Sequence, residues 1–217
     1  MGFPKEMVDF MWELRFNNNK EWFDNNRSRY EEYMKRPMDV FSKNMCEELK
    51  LAFGQEVYYN ISRINRDIRF SRNKAPYRDN KWVVFKLRVG RWQDMPCMFF
   101  DIGPEGWELG VGFYSAKTDF MRAFRKKIDI ETKRFEKIVR DIDKQPQFVK
   151  YGDFYKKNMG DKEHKAAVMD WYMRKNVGVI ANGEISEAIY TREIFDTALA
   201  DLKALIPIEK FLNEITV

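Results

Sequence analysis

Three short strand-like stretches between Trp82 and Tyr114, two of them alternating, constrain this chain more than anything else in it. Val83, Phe85, Leu87 and Val89 alternate with Trp82, Val84, Lys86 and Arg88, the period of two that marks a half-buried strand. Cys97 to Ile102 reads as a second strand, Gly103-Pro104-Glu105-Gly106 as a turn, and Trp107 to Tyr114 as a third strand. In that last strand Trp107, Leu109, Val111 and Phe113 point one way, and Glu108, Gly110, Gly112 and Tyr114 the other. Two glycines on one strand face leave a flat patch, open to close approach of a ligand or of another backbone. The connections are too short for a βαβ crossover, so these strands pair antiparallel, as a meander.

Helical spacing surrounds the meander. Met7, Phe10, Met11 and Leu14 repeat after Pro4, and Asn17-Asn18-Asn19 ends that helix. Asn19 caps a second helix, from about Lys20 to Met34, with Trp22, Phe23, Tyr30, Tyr33 and Met34 as its stripe. A third follows Pro37 through Met38, Phe41, Met45, Leu49 and Phe53, and Gly54 closes it. Val57 to Ile61 reads as a strand. Beyond the meander, Phe120, Met121, Phe124 and Ile128 mark one helix and Phe135, Ile138, Val139 and Ile142 another. A helix near Ala166 to Met173 and a short strand near Val177 follow. The last helix is capped by Thr191, carries Ile194, Phe195, Ala198, Leu199, Leu202 and Leu205, and stops at Pro207. The expected fold is α+β: an antiparallel meander flanked by N-terminal and C-terminal helices in a single domain over 1–217. Residues 1–54 are helical, 55–115 hold the sheet and a basic loop, and 116–217 are mainly helical. A chain of 217 residues buries about 70% of its unfolded surface and needs no metal or disulfide staple.

Several classes are excluded by simple counts. The longest charge-free runs, Leu109 to Ala116 and Asn176 to Gly183, fall far short of the ~20 residues that span a bilayer. Glu6, Asp9 and Glu13 stand where a secretory signal is apolar, and Glu6 spoils a myristoylation signal. No membrane association and a cytoplasmic location are expected, with Cys46 and Cys97 as buried thiols. His164 is the sole histidine, so a histidine-rich metal site is excluded; in its polar stretch it reads as a surface residue. The sequence leaves oligomeric state open.

The chain's basicity is local. From Arg63 to Lys81 five arginines and two lysines face only Asp67 and Asp79, a net +5 that equals the formal charge of the whole chain. Arginine is a rigid, permanently charged fork that fits phosphate or carboxylate two bonds at a time. Arg63, Arg66, Arg69 and Arg72 are three apart, so a single strand cannot present all four to one ligand. Ile64, Ile68 and Phe70 among them are expected to anchor the segment in the core. Pro76 drives Ala75 out of the helical region and presents Lys74, Tyr77 and Arg78 on a stiff loop. The blander alternative is an internal ion-pair network built on Arg66, Asp67 and Arg69.

Arg66-Asp67-Ile68-Arg69-Phe70-Ser71 followed by Lys74-Ala75-Pro76-Tyr77, with Asn18-Asn19-Lys20-Glu21-Trp22-Phe23 and Asn26-Arg27-Ser28-Arg29-Tyr30 upstream, resembles the family catalogued as domain of unknown function 2461. The resemblance runs over nearly the whole chain. It implies that the two motifs belong to one domain and implies no particular activity, substrate or cofactor. Lys156-Lys157-Asn158-Met159-Gly160 departs from the pattern, which has a proline before the glycine.

Three functions follow from these residues. In the first, a small phosphorylated or carboxylated molecule is held by Arg63, Arg66, Arg69 and Lys74, with Tyr77 donating a hydrogen bond and Asn25 and Trp22 shaping the wall. If the site is catalytic, Asp67 and Glu21 are the carboxylates available for acid/base work, with Tyr77 a further candidate; neighbouring positive charge keeps Asp67 ionised. No phosphate-binding loop is present, and Gly110-Val111-Gly112 lacks the strand-to-helix setting of a dinucleotide fingerprint. The cofactor is left open, and a magnesium bridged by substrate phosphates needs only one or two carboxylates. In the second, the arginines and aromatics bind nucleic acid, which a charge of only +5 argues against. In the third, the arginines are structural and the chain is an interaction domain.

Overall fold

The computed structural model describes residues 2–157 and 164–216. Among them β1 (Tyr58–Ile61), β2 (Lys81–Lys86), β3 (Cys97–Ile102), β4 (Gly106–Gly112), β5 (Val149–Tyr151) and β6 (Gly178–Glu184) form one antiparallel sheet in the order β1-β2-β3-β4-β6-β5. The helices are α1 (Lys5–Phe16), α2 (Lys20–Asn25), α3 (Arg27–Arg29), α4 (Arg36–Phe53), α5 (Thr118–Ile130), α6 (Thr132–Asp143), α7 (Ala166–Tyr172), α8 (Glu193–Ala204) and α9 (Ile206–Asn213). The α+β class and the antiparallel meander are as the sequence leads one to expect. Strand β2 departs in detail: Val84 and Lys86 are as buried as Val83 and Phe85, so both faces are covered. It also stops at Lys86, and Val89 is 78% exposed.

By contact the chain divides into two compact units. The first comprises Met1–Phe85, Phe99–Glu108 and Asn182–Ala200. Its α1 buries Met7, Phe10, Met11 and Leu14, and the Asn19 side chain caps α2 by accepting the Trp22 N–H. The expected continuous helix to Met34 is broken at Asn26. There the Asn26 N–H bonds to Trp22 and Phe23 carbonyls and its side chain donates to the Trp22 carbonyl at 2.9 Å, ending α2. After α3 a π-helical stretch, Tyr30–Lys35, buries Tyr30 and Met34 and runs into α4. Pro37 sits in the first turn of α4. Gly54, at φ 69, ends that helix in the left-handed conformation. Phe41 is the hub of the core here, with ring centroids 5.1 Å from Phe3, 4.5 Å from Phe100 and 5.5 Å from Phe195.

The second unit comprises Lys86–Met98, Leu109–Ala181 and Asp201–Val217. Phe135 on α6 packs at 5.5 Å from Phe124, 5.8 Å from Trp171 and 4.9 Å from Phe211. Strand β5 was invisible to periodicity because it has three residues; it pairs with β6 through Val149↔Ile180, Lys150↔Val179 and Tyr151↔Gly178. Pro207 opens α9 after a break at Leu205, where a helix stop was expected. Gly112 lies at φ 151, and a Cβ there would sit 2.5 Å from the Val177 carbonyl oxygen and 2.7 Å from the Gly178 Cα. The glycine admits a neighbouring backbone, which settles its role on the flat strand face. His164 is not the surface residue its polar neighbours suggest. Its side chain is 4% exposed, with Nε2 2.7 Å from Asp129 Oδ1 and the ring 5.3 Å from Tyr172. Both cysteines are free and buried. Among the described residues no helix is long and apolar enough to cross a membrane. Asn158-Met159-Gly160, where the sequence departs from the family pattern, lies outside the described residues.

Candidate functional site

Every residue of the candidate site belongs to the first unit. The segment from Arg63 onward folds back on itself: the Arg66 N–H donates to the Pro76 carbonyl and the Arg78 N–H to the Ile64 carbonyl, both at 2.8 Å, around an antiparallel bridge between Asn65 and Tyr77. Side chains alternate along such a ladder, so Arg66 and Arg78 share the face opposite Asn65 and Tyr77. Tyr77 goes inward, 7% exposed and stacked on Phe23 at 4.1 Å. Asn18 clamps the ladder, its Oδ1 accepting the Tyr77 N–H at 2.9 Å and its Nδ2 donating to the Tyr77 carbonyl at 3.0 Å. The asparagine-rich motif and the Lys-Ala-Pro-Tyr motif are therefore two halves of one local structure.

The arginine face lines a cleft of about 500 Å³, completed by Arg15, Asn73, Asp79, Asn80 and the turn from Gly103 to Gly106. Arg15 is held by Asp79 and, at 3.1 Å, by Glu105. Arg66 and Arg78 form no ion pair among the described residues, so the cleft presents two uncompensated guanidinium groups. Asn80 donates to both carboxylate oxygens of Asp101, at 3.0 and 2.8 Å. The Gly103 N–H bonds to the Gly106 carbonyl at 2.9 Å, and continuing that register down the hairpin puts Asp101 opposite Glu108. Burial pushes the Asp101 carboxyl up to about 6; Glu108 adds to the push, while the Asn80 amide and Arg78 oppose it. Burial raises Glu108 as well. A second cleft, of about 630 Å³, is lined by Asp101, Trp107, Glu108, Asn182 and Glu184, and it shares Asn80, Gly103, Glu105 and Gly106 with the first.

Of the residues singled out from the sequence, Arg66 lines the arginine cleft. Arg69 lies apart: its Nε and Nη2 donate to the two Asp67 oxygens at 2.9 and 2.7 Å, and that pairing holds the Asp67 carboxyl down to about 2. Arg63 is exposed, and Lys74 Nζ donates to the Ile68 carbonyl at 3.0 Å. Phe70, expected as a core anchor, is 95% exposed, and Ile64 does the anchoring. Trp22 is half-buried with its ring 5.6 Å from Phe10, and Glu21 and Asn25 are exposed on α2. Lys81 is buried, donating to the Tyr30 hydroxyl at 3.2 Å and to the Ser62 carbonyl; burial lowers it to about 8. That lysine therefore adds to the segment's formal charge without facing a ligand.

Arg15, Asn80, Asp101 and Glu108 escaped sequence reasoning. The legible signal was an aspartate inside an otherwise apolar strand, facing a glutamate across a Pro-Glu turn. Among the described residues no group of three or more His, Cys, Asp or Glu side chains could hold a metal ion. A family model described as conserved hypothetical protein, DUF2461, matches residues 6–211. No curated protein matches the chain.

Proposed function

We propose that this chain, which belongs to the DUF2461 family of conserved hypothetical proteins, binds a small phosphorylated or carboxylated molecule in the cleft lined by Arg66 and Arg78. The observation that carries this reading is the pair of unpartnered arginines on one face of a ladder clamped by Asn18. Charge-assisted bonds to an anion are stronger than neutral ones, and the backbone bonds at Arg66 and Arg78 fix where both side chains leave the chain. Arg15, held by Asp79 and Glu105, braces the cleft, and Asn73 and Asn80 supply neutral hydrogen-bonding groups. Arg63, Arg69 and Lys74 are not among the residues that line the cleft.

Thermal unfolding with inorganic phosphate, citrate, phosphorylated sugars and oligonucleotides tests the proposal. A bound anion at 100 times its dissociation constant stabilises the folded chain by about 2.7 kcal/mol. The expected result is a rise in Tm that disappears in the Arg66→Ala/Arg78→Ala double variant. A rise that survives in that variant, or no rise with any anion, overturns the proposal. The exposed Phe70 beside Arg69 and Arg72 favours one competing reading, single-stranded nucleic acid stacked on the ring. In that case oligonucleotides give the largest shift, and it collapses between low and moderate salt.

A further inference from the structure

The carboxylates across the shared turn have no structural explanation. Like charges directly opposite on neighbouring strands destabilise a sheet, yet Asp101 and Glu108 occupy such a pair in a half-buried position. Among the described residues neither Asp101, Glu108 nor Glu184 has a basic partner, although Arg66 and Arg78 stand unpaired beside the adjoining cleft. The two clefts adjoin, with Asn80, Gly103, Glu105 and Gly106 common to both linings. Arg78 and Asn80 are two residues apart, so their Cα atoms are at most about 7 Å apart, and Asn80 is bonded directly to Asp101. One small molecule of sufficient length can therefore meet guanidinium groups and carboxylates that form no ion pair among the described residues.

We propose that the ligand of this site is a small zwitterion, its phosphate or carboxylate on Arg66 and Arg78 and its ammonium group among Asp101, Glu108 and Glu184. This rests on the anion reading of the arginine cleft. A hydroxyl group also bonds to carboxylates, but a cation between Asp101 and Glu108 offsets the charge of both at once. The negative wall also rejects a second anionic group, which separates an amino-phosphate from a bisphosphate of equal size.

Titration calorimetry of the full chain tests this with inorganic phosphate and with two matched series of alkyl phosphates, two to four carbons long, ending in a hydroxyl or in an ammonium group. We expect the ammonium compound of at least one length to bind tenfold or more tightly than its hydroxyl counterpart. In Asp101→Asn/Glu108→Gln, and in Glu108→Gln alone should the double variant fail to fold, that preference shrinks to less than threefold. Affinity for inorganic phosphate stays the same or rises. Equal binding of the two series at every length, or a preference that survives both variants, overturns the zwitterion proposal and leaves the anion site standing. If none of the phosphates, inorganic phosphate included, binds, the anion reading fails and this inference with it.

Discussion

Glu209 offers the sharpest test of the electrostatics of the second unit. It lies on α9 with 1% exposure, and neither carboxylate oxygen has a hydrogen-bond partner among the described residues. Burial raises its pKa from an ordinary 4.5 to about 8, with Asn213 and Arg88 pulling weakly the other way. A carboxyl group with a higher pKa folded than unfolded takes up a proton on folding between those two values. Its contribution is therefore fully present below about 4.5 and is lost as pH rises through about 8. Each pKa unit is worth about 1.36 kcal/mol, so by pH 7 the loss is about 3 kcal/mol, and by pH 8 about 4. Glu209→Gln removes the titration, and the new amide donor has the buried, unpartnered Oδ1 of Asn213 one turn away to bond to. Urea denaturation of both proteins from pH 5 to 8.5 is the assay. Wild type should lose about 4 kcal/mol more than the variant across that range, and the variant should be the more stable at pH 8. Parallel pH profiles would refute the reasoning whatever the absolute stabilities, because they would mean that Glu209 titrates alike in both states.

Three further outcomes are expected. Asn18→Ala strips both bonds from the Tyr77 backbone, so chemical denaturation should register a loss of about 1–3 kcal/mol, and phosphate affinity should fall because the arginine ladder is no longer clamped. Gly112→Ala places a methyl group against the Val177 carbonyl and should cost more than about 2 kcal/mol, whereas Gly54→Ala, left-handed but in open space, should cost only about 1 to 2 kcal/mol by the same measurement. Arg69→Ala breaks an exposed pair with Asp67 and should leave the denaturation midpoint essentially unchanged, with the anion-dependent rise in Tm still in place.

Periodicity exposed the elements that bury a regular face. The stripe of α4 and the alternation through β2 and β4 are long enough to stand above chance, and the shortness of the connections between strands dictated antiparallel pairing. What it could not supply depends on partners distant in sequence. The break at Asn26 is decided by one side chain bonding back to Trp22, β5 exists because β6 offers it an edge, and Pro207 can open a helix as readily as stop one. The site divides in the same way. Local charge density drew attention to Arg63 through Lys81, but density along the chain does not reveal direction. Arg69 turns to Asp67 two residues away, whereas Arg66 meets Arg78 only because the chain doubles back at Pro76. Asp101 and Glu108 were hidden because a single acidic residue in a strand resembles a solvent-facing position until the opposing strand is known. His164 misled for the converse reason, its charged neighbours in sequence saying nothing of Asp129 and Tyr172 around its ring.

The central claim, that one anion is shared by Arg66 and Arg78, is tested most directly by a double-mutant cycle in phosphate or citrate binding. Calorimetric affinities for wild type, Arg66→Ala, Arg78→Ala and the double variant give the coupling between the two arginines. Two groups gripping the same ligand should be coupled by at least about 0.5 kcal/mol, with each single change removing most of the binding and the second adding little. Losses that simply add, or an affinity indifferent to both substitutions, would contradict the claim.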